Sequence, residues 1–232
     1  MDLAENGIKG GNYIVSWSGG KDSCLALYEA LRLGCKVTHL VNFISDEEKR
    51  VRFHGTDAGL IVLQGAAMGI TVAQFETSWD GYERAFKAGV TELLPTGVKG
   101  MVFGDIYIDE HREWVERVCG EIGIQALEPL WNRPAREVLT QFIGLGFEAV
   151  IVSANSKYID EKWVGRVVDS DFQDYLNSKG IDPCGENGEY HTLVINGPLF
   201  SRRISLTAGR VVSQNEYRLL DVRGFRLEEA AV

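Results

Sequence analysis

The hexapeptide Ser18-Gly19-Gly20-Lys21-Asp22-Ser23 stands between an apolar run, Tyr13–Trp17, and a segment where Cys24, Leu27, Tyr28 and Leu31 recur at i, i+3, i+4 and i+7. That change of period predicts a strand, a tight turn and a helix whose repeated face is core. A turn leading from the C-terminal end of a parallel strand into a helix presents several backbone N–H groups aimed one way and reinforced by the helix dipole, which suits an anion. Gly19 and Gly20 remove the Cβ atoms that would hold an oxyanion off, Ser18 and Ser23 add hydroxyls, and Lys21 supplies positive charge. The chemistry implied is phosphate binding. A plainer reading, a glycine turn capped by Asp22 or Ser18, needs no ligand. Position favours the phosphate, because the turn directly follows a strand and opens an amphipathic helix. The spacing excludes a Walker A loop, in which Ser or Thr follows the lysine to reach magnesium; here an aspartate does.

Two other groups of residues carry chemistry. Asp105 closes a strand-like run, Gly100–Gly104, and so falls on the same sheet edge as the first turn. It reads either as a magnesium ligand or as the N-cap of the next helix. Further on, Glu186, Glu189 and His191 bring two carboxylates and an imidazole into one short polar loop, with Gly185 and Gly188 permitting a compact backbone. Such a loop could bind a cation, position ammonia or take up a proton, or be only a polar surface turn. Trp131 and Trp163 read equally as pocket lining or as core.

The elements that must position these residues alternate. Strands are predicted at Tyr13–Trp17, Val37–Ile44, Thr71–Phe75, Gly100–Gly104 and Gln125–Leu127, with helices at Asp22–Leu33, Asp57–Met68, Asp80–Leu93 and Asp109–Ile122. That order implies parallel strands with crossover helices, an α/β Rossmann-like sheet covered on both faces. Gly34 stops the first helix; Asp80 with Glu83 has capping-box spacing, and Pro95 ends that third helix. The proline-rich stretch Leu127–Ala135 reads as a domain connection, dividing the chain into 1–130 and 131–232. Beyond it come a helix (Ala135–Gly144), a strand (Glu148–Val152), a helical stretch near Asp169–Leu176, the polar loop Asp182–His191 and strand-like runs to the C-terminus, a smaller α/β domain. The C-terminal run, Arg202–Val232, either finishes a second sheet or pairs across a homodimer.

Composition narrows the function. The 232 residues carry a formal charge of -9, so the surface repels nucleic acid and acidic lipid. Cys24, Cys35, Cys119 and Cys184 form no CxxC pair and fit neither a zinc site nor a disulfide framework. No apolar leader or membrane-length run is visible, so a cytoplasmic protein without membrane partners is expected.

The hexapeptide resembles the pyrophosphate loop (PP-loop) of the N-type ATP pyrophosphatases, which split ATP between its α- and β-phosphates. Three more stretches, Gly104–Cys119, Leu127–Trp131 and Asp182–Val194, follow in the order and separation of the diphthine-ammonia ligase family. The resemblance spans about residues 12 to 205. It implies adenylation of the carboxylate of diphthine on translation elongation factor 2, followed by displacement of AMP by free ammonia, with ATP and Mg2+ required. It places Ser18, Gly19, Gly20, Lys21, Asp22 and Ser23 on the phosphates, Asn42 and Phe43 at the adenine through backbone groups, His54 and Gly104 on the nucleotide side, and Asp105 on the metal. Lys21, Glu186, Glu189 and His191 become the catalytic set. Other readings are an amide ligase for a different carboxylate, as a bacterial source would require, a tRNA-modifying PP-loop enzyme, and a nucleotide-binding module without turnover. The acidic charge and the absence of paired cysteines weigh against the tRNA enzyme.

Overall fold

A computed structural model describes residues 9–45, 56–78 and 80–228. The chain divides into two compact units. The first comprises 1–18, 22–52 and 70–132; the second comprises 19–21, 53–69 and 133–232. The connection is therefore at Asn132/Arg133, but the second unit also takes three residues of the glycine turn and a whole helix from the N-terminal half.

In the first unit β1 (Asn12–Ser16), β2 (Lys36–Ser45), β3 (Thr71–Thr77), β4 (Val98–Val102) and β5 (Gln125–Leu127) form a parallel sheet in the order β3-β2-β1-β4-β5. Strand order reverses at β1, and ligands of open α/β sheets bind at the carboxyl end of such a switch point. Helices α1 (Lys21–Arg32), α3 (Tyr82–Leu93) and α4 (Asp109–Ile122) belong to this unit. Phe86 and Val90 of α3 and Val115 and Val118 of α4 pack on one sheet face, against Ile14 and Phe43. Tyr13, Val15, Leu40 and Val102, which alternate to the opposite face, are equally buried.

Two local expectations are corrected. Asp80 and Glu83 form no capping box: α3 begins after Gly81, and no side chain caps it. Glu83 instead accepts from Arg117 at 2.7 and 2.9 Å, from Lys87 at 2.6 Å and from Trp114 at 3.1 Å, tying α3 to α4. The charge-assisted pair wins over a neutral backbone donor. In α1, Cys24 and Leu27 are buried as the period requires, but Tyr28 and Leu31 are only partly so, while Leu25, Ala26 and Ala30 are fully buried. The helix is enclosed over more of its circumference than one stripe.

The second unit holds an antiparallel sheet of order β7-β6-β9-β8, built from β6 (Glu148–Asn155), β7 (Tyr190–Asn196), β8 (Ile204–Gln214) and β9 (Tyr217–Leu227). β6 runs three residues beyond the apolar stretch that marked it in the sequence, because Ser153, Ala154 and Asn155 pair with β9. β9 thus finishes this sheet. Leu60 of α2 (Ala58–Met68) joins the core formed by Val150, Val152, Leu193 and Ile195. Helices α5 (Ala135–Gly144) and α6 (Ser170–Lys179) complete the unit. All four cysteines are free and buried. Among the described residues no helix is long and apolar enough to cross a membrane.

Candidate active site

In the second unit the glycine turn and the polar loop are one structure. Val194 N–H donates to Gly19 O at 2.9 Å, and the Lys21 N–H donates to Thr192 Oγ1 at 3.0 Å, so residues 19–21 are tied to β7. Gln64 of α2 locks the arrangement: its Nε2 donates to Gly19 O at 2.9 Å and to Val194 O at 2.7 Å. Gly19 has φ +81°, and a Cβ there would lie 2.5 Å from Ile61 Cδ1 and 2.7 Å from Gln64 Oε1. The glycine is therefore demanded by its left-handed backbone and by the close approach of α2 side chains. The Lys21 amide, which the sequence offers to an anion, is taken by Thr192.

The Lys21 side chain is 4% exposed. Its ammonium donates to Cys184 O and lies 4.9 Å from the Tyr190 ring centroid, a desolvated cation–π placement. Tyr190 is fixed in turn by its hydroxyl, which donates to Pro183 O at 2.5 Å, and by an edge-on contact with Phe172 at 5.1 Å. Gly185 is needed because a Cβ there would meet the Tyr190 ring at 2.8 Å. His191 is half-buried beside Lys21; burial first and that cation second push its imidazole down to about 4, so it is neutral over the physiological range.

The two loop glutamates separate. Glu189 is buried, and both its oxygens are engaged by Asn187, accepting from the backbone N–H at 3.0 Å and the side-chain amide at 3.3 Å. Its carbonyl accepts from Asn155 N–H at 2.9 Å. Glu189 thereby shapes the loop. Glu186 remains half-buried, its N–H held by Asp182 Oδ2 at 2.7 Å. Trp163 is core, 5% exposed and packed at a tilt against Phe172 and Tyr175.

In the first unit, the Ser18 and Ser23 hydroxyls lie 3.3 Å apart at the opening of α1. Gly104 abuts that helix start: a Cβ would lie 2.8 Å from both the Asp22 carbonyl carbon and the Ser23 nitrogen. Asp105 follows it. The N-cap reading for Asp105 is overturned, since Ile108 precedes the first residue of α4. Asp105 Oδ1 instead lies 3.1 Å from His111 Nδ1. Among the described residues no three His, Cys, Asp or Glu side chains assemble into a metal site. Asn42 is 1% exposed, donates to Trp17 O at 2.7 Å and accepts from Gln74 at 3.1 Å, while Phe43 stacks on Phe86 at 5.5 Å. Both side chains are committed to the sheet and core, leaving only backbone groups for a base. His54 lies outside the described residues. Trp131 is half-buried, with the Arg112 guanidinium 4.8 Å from its ring centroid.

Sequence reasoning missed Gln64, Thr192 and Glu128. Gln64 was visible as the lone polar side chain inside an apolar helix, fully buried in the structure. Glu128 directly follows β5, where the rule that singled out Asp105 applies equally.

The family relationships agree with this assembly. The model described as diphthamide synthase N-terminal domain matches residues 11–126, and that described as diphthamide synthase C-terminal domain matches 134–227. Human diphthine–ammonia ligase is 28% identical over 221 residues, covering 84% of this chain and 82% of that protein. The bovine protein of the same name is 27% identical, with 85% and 84% covered. The *Schizosaccharomyces pombe* protein of that name is also 27% identical, but only 36% of its length is covered. A solved structure, the predicted subunit of a tRNA methyltransferase from *Methanocaldococcus jannaschii*, superposes with TM-score 0.45 at 16% identity over 81% of this chain and 98% of that chain, a likeness too low to bear on activity. With both halves matched, and with the glycine turn and the Asp182–Val194 segment hydrogen-bonded to each other, the chain belongs to the diphthamide synthase family.

Proposed function

We propose that this protein is an ATP-dependent, AMP-forming ligase that converts the carboxylate of diphthine on translation elongation factor 2 into an amide, using free ammonia. The observation that carries the reading is the bonding of Gly19 and Lys21 to Val194 and Thr192. It makes the phosphate-type turn and the family's second motif one framework.

The residues fit ATP: a glycine turn at the sheet's switch point, two neighbouring hydroxyls at a helix start, and a buried lysine. Ser18–Ser23 hold the phosphates, Gly104 borders them, and the backbone of Asn42 and Phe43 meets the base; His54 is proposed to join from the nucleotide side. Lys21, desolvated and aimed by Cys184 and Tyr190, offsets the charge that grows on pyrophosphate as it leaves. Mg2+, held by Asp105 together with phosphate oxygens, would supply further neutralisation there.

In the acceptor part, residues 131–232, Glu186 is proposed for the trimethylammonium group, and neutral His191 orients the incoming nitrogen by accepting a hydrogen bond. Glu189 acts through Asn187 as a positioning residue. The adenylated carboxylate is then attacked by ammonia and AMP departs. The test is pyrophosphate release from ATP that depends on both ammonia and a diphthine-bearing acceptor. ADP formation, or equal turnover with other carboxylates, would overturn this assignment, the latter in favour of a ligase with a different acceptor.

A further inference from the structure

The ends of β4 and β5 hold a carboxylate that its surroundings do not complete. The Glu128 side chain is only 6% exposed, and its Oε1 is buried with no hydrogen-bond partner among the described residues. Its Oε2 has the Arg112 Nε 3.7 Å away, beyond hydrogen-bond distance. Arg112 is instead bonded to Glu116 at 2.8 Å and spread over Trp131. The position is rigid: Phe103 N–H donates to Leu127 O at 2.9 Å and Asn132 N–H to Ile106 O at 2.6 Å, so Gly104–Ile106 runs beside the Glu128–Trp131 turn. Asp105 adds a second carboxylate to this edge.

A buried acceptor left unmade is costly, and a buried negative charge more so. Burial first, then Asp105, pushes the Glu128 carboxyl up to about 7, only partly offset by Arg112. The edge is under-compensated in both charge and hydrogen-bond donors. A small cation bearing N–H groups satisfies both deficits. A trimethylammonium group has no N–H to give, and magnesium demands near-octahedral oxygen coordination that one buried oxygen does not provide. We infer that Glu128 seats the ammonium ion that supplies the amide nitrogen: the Glu128 carboxylate takes one proton from it, leaving neutral ammonia to attack, while Asp105, kept for the metal, adds only negative charge nearby. This rests on the ligase reading above. With strands roughly 4.8 Å apart, the end of β5 lies about 10 Å from that of β1, the strand that leads into Ser18.

Binding is tested without turnover. Thermal unfolding is followed in ammonium, sodium, tetramethylammonium and magnesium chlorides, each at about 0.1 M ionic strength so that screening is matched. The wild type is expected to melt about 3 °C higher in ammonium alone. Glu128→Gln loses that shift, and Asp105→Asn reduces it. A shift in magnesium but not ammonium, no shift in any salt, or a shift retained in both variants overturns the site. With the acceptor present, Glu128→Gln should raise the ammonium KM about tenfold, with most of the loss in KM rather than kcat; a fall in kcat with the ammonium KM unchanged overturns the positioning role. If the ammonium shift stands while the diphthine acceptor gives no pyrophosphate, the acceptor assignment falls and the cation site remains.

Discussion

The Asp182–Val194 segment and the Glu128–Trp131 turn each contain a glutamate withdrawn from solvent, yet the two carboxylates are treated differently. Glu189 has its oxygens filled by Asn187, and the loop around it is knitted by Asp182, Tyr190 and Tyr217. Glu128 is left with an oxygen that nothing in the described residues fills. A segment dense in charged residues can spend them on its own shape, while the capacity to bind resides in an inconspicuous turn elsewhere in the sequence. Spare hydrogen-bonding capacity marks a site better than the number of charged residues does.

The comparison can be broken in several ways. Lys21→Ala removes the ammonium held by Cys184 O and should lower pyrophosphate release about 10³-fold, the scale of a lost transition-state charge partner; a fall of less than tenfold would remove Lys21 from the chemistry. Gly19→Ala combines a positive φ with a clash against Ile61 and Gln64 and should cost about 3 kcal/mol in urea unfolding.

The third prediction concerns pH. The folded-state pKa of His191 is depressed to about 4, so between roughly 6.5 and 4 the unfolded chain binds the proton that the folded chain refuses. Stability is then fully present above 6.5 and falls by about 3 kcal/mol as pH drops through that window. Glu128 gives the opposite slope: its folded pKa is raised to about 7, so stability falls as pH rises from about 4.5 to 7. Denaturant melts of His191→Gln and Glu128→Gln across pH 4–8 should each lack the corresponding slope. Slopes unchanged from wild type would remove both assignments.

The smallest effect sharpens the contrast. Glu189→Ala should lose about 1 kcal/mol, because Asn187 forfeits both of its bonds to the carboxylate, whereas Glu128→Gln should be neutral or slightly stabilising at pH 8. Equal losses in the two variants, measured by thermal and urea melts, would show that the carboxylates play the same part.

Much of the fold was legible. The bounds of β5, α4 and α5 coincide with those read from the sequence, because each is delimited by glycine, proline or a switch of hydrophobic period. The parallel order followed from the alternation of strand and helix. The Asp80–Glu83 cap was misjudged because Arg117, 34 residues away, outcompetes a local donor for Glu83. The site was legible as a set of motifs but not as a structure. That Thr192 takes the Lys21 amide depends on a pairing across 171 positions, which no local pattern reports. Nor does sequence reveal that Glu128 Oε1 finds no hydrogen-bond partner among the described residues, since that is a property of everything around it.

The pairing of Gly19 and Lys21 with β7 also sets when the glycine turn can take its final form. During synthesis β1 and α1 emerge early, but the backbone partners of the turn lie some 170 residues later. Closing so long a loop is entropically slow compared with forming local helices. A nascent chain halted before Val194 would carry its glycine turn unbraced, so the turn would take its final form only once β7 has been made.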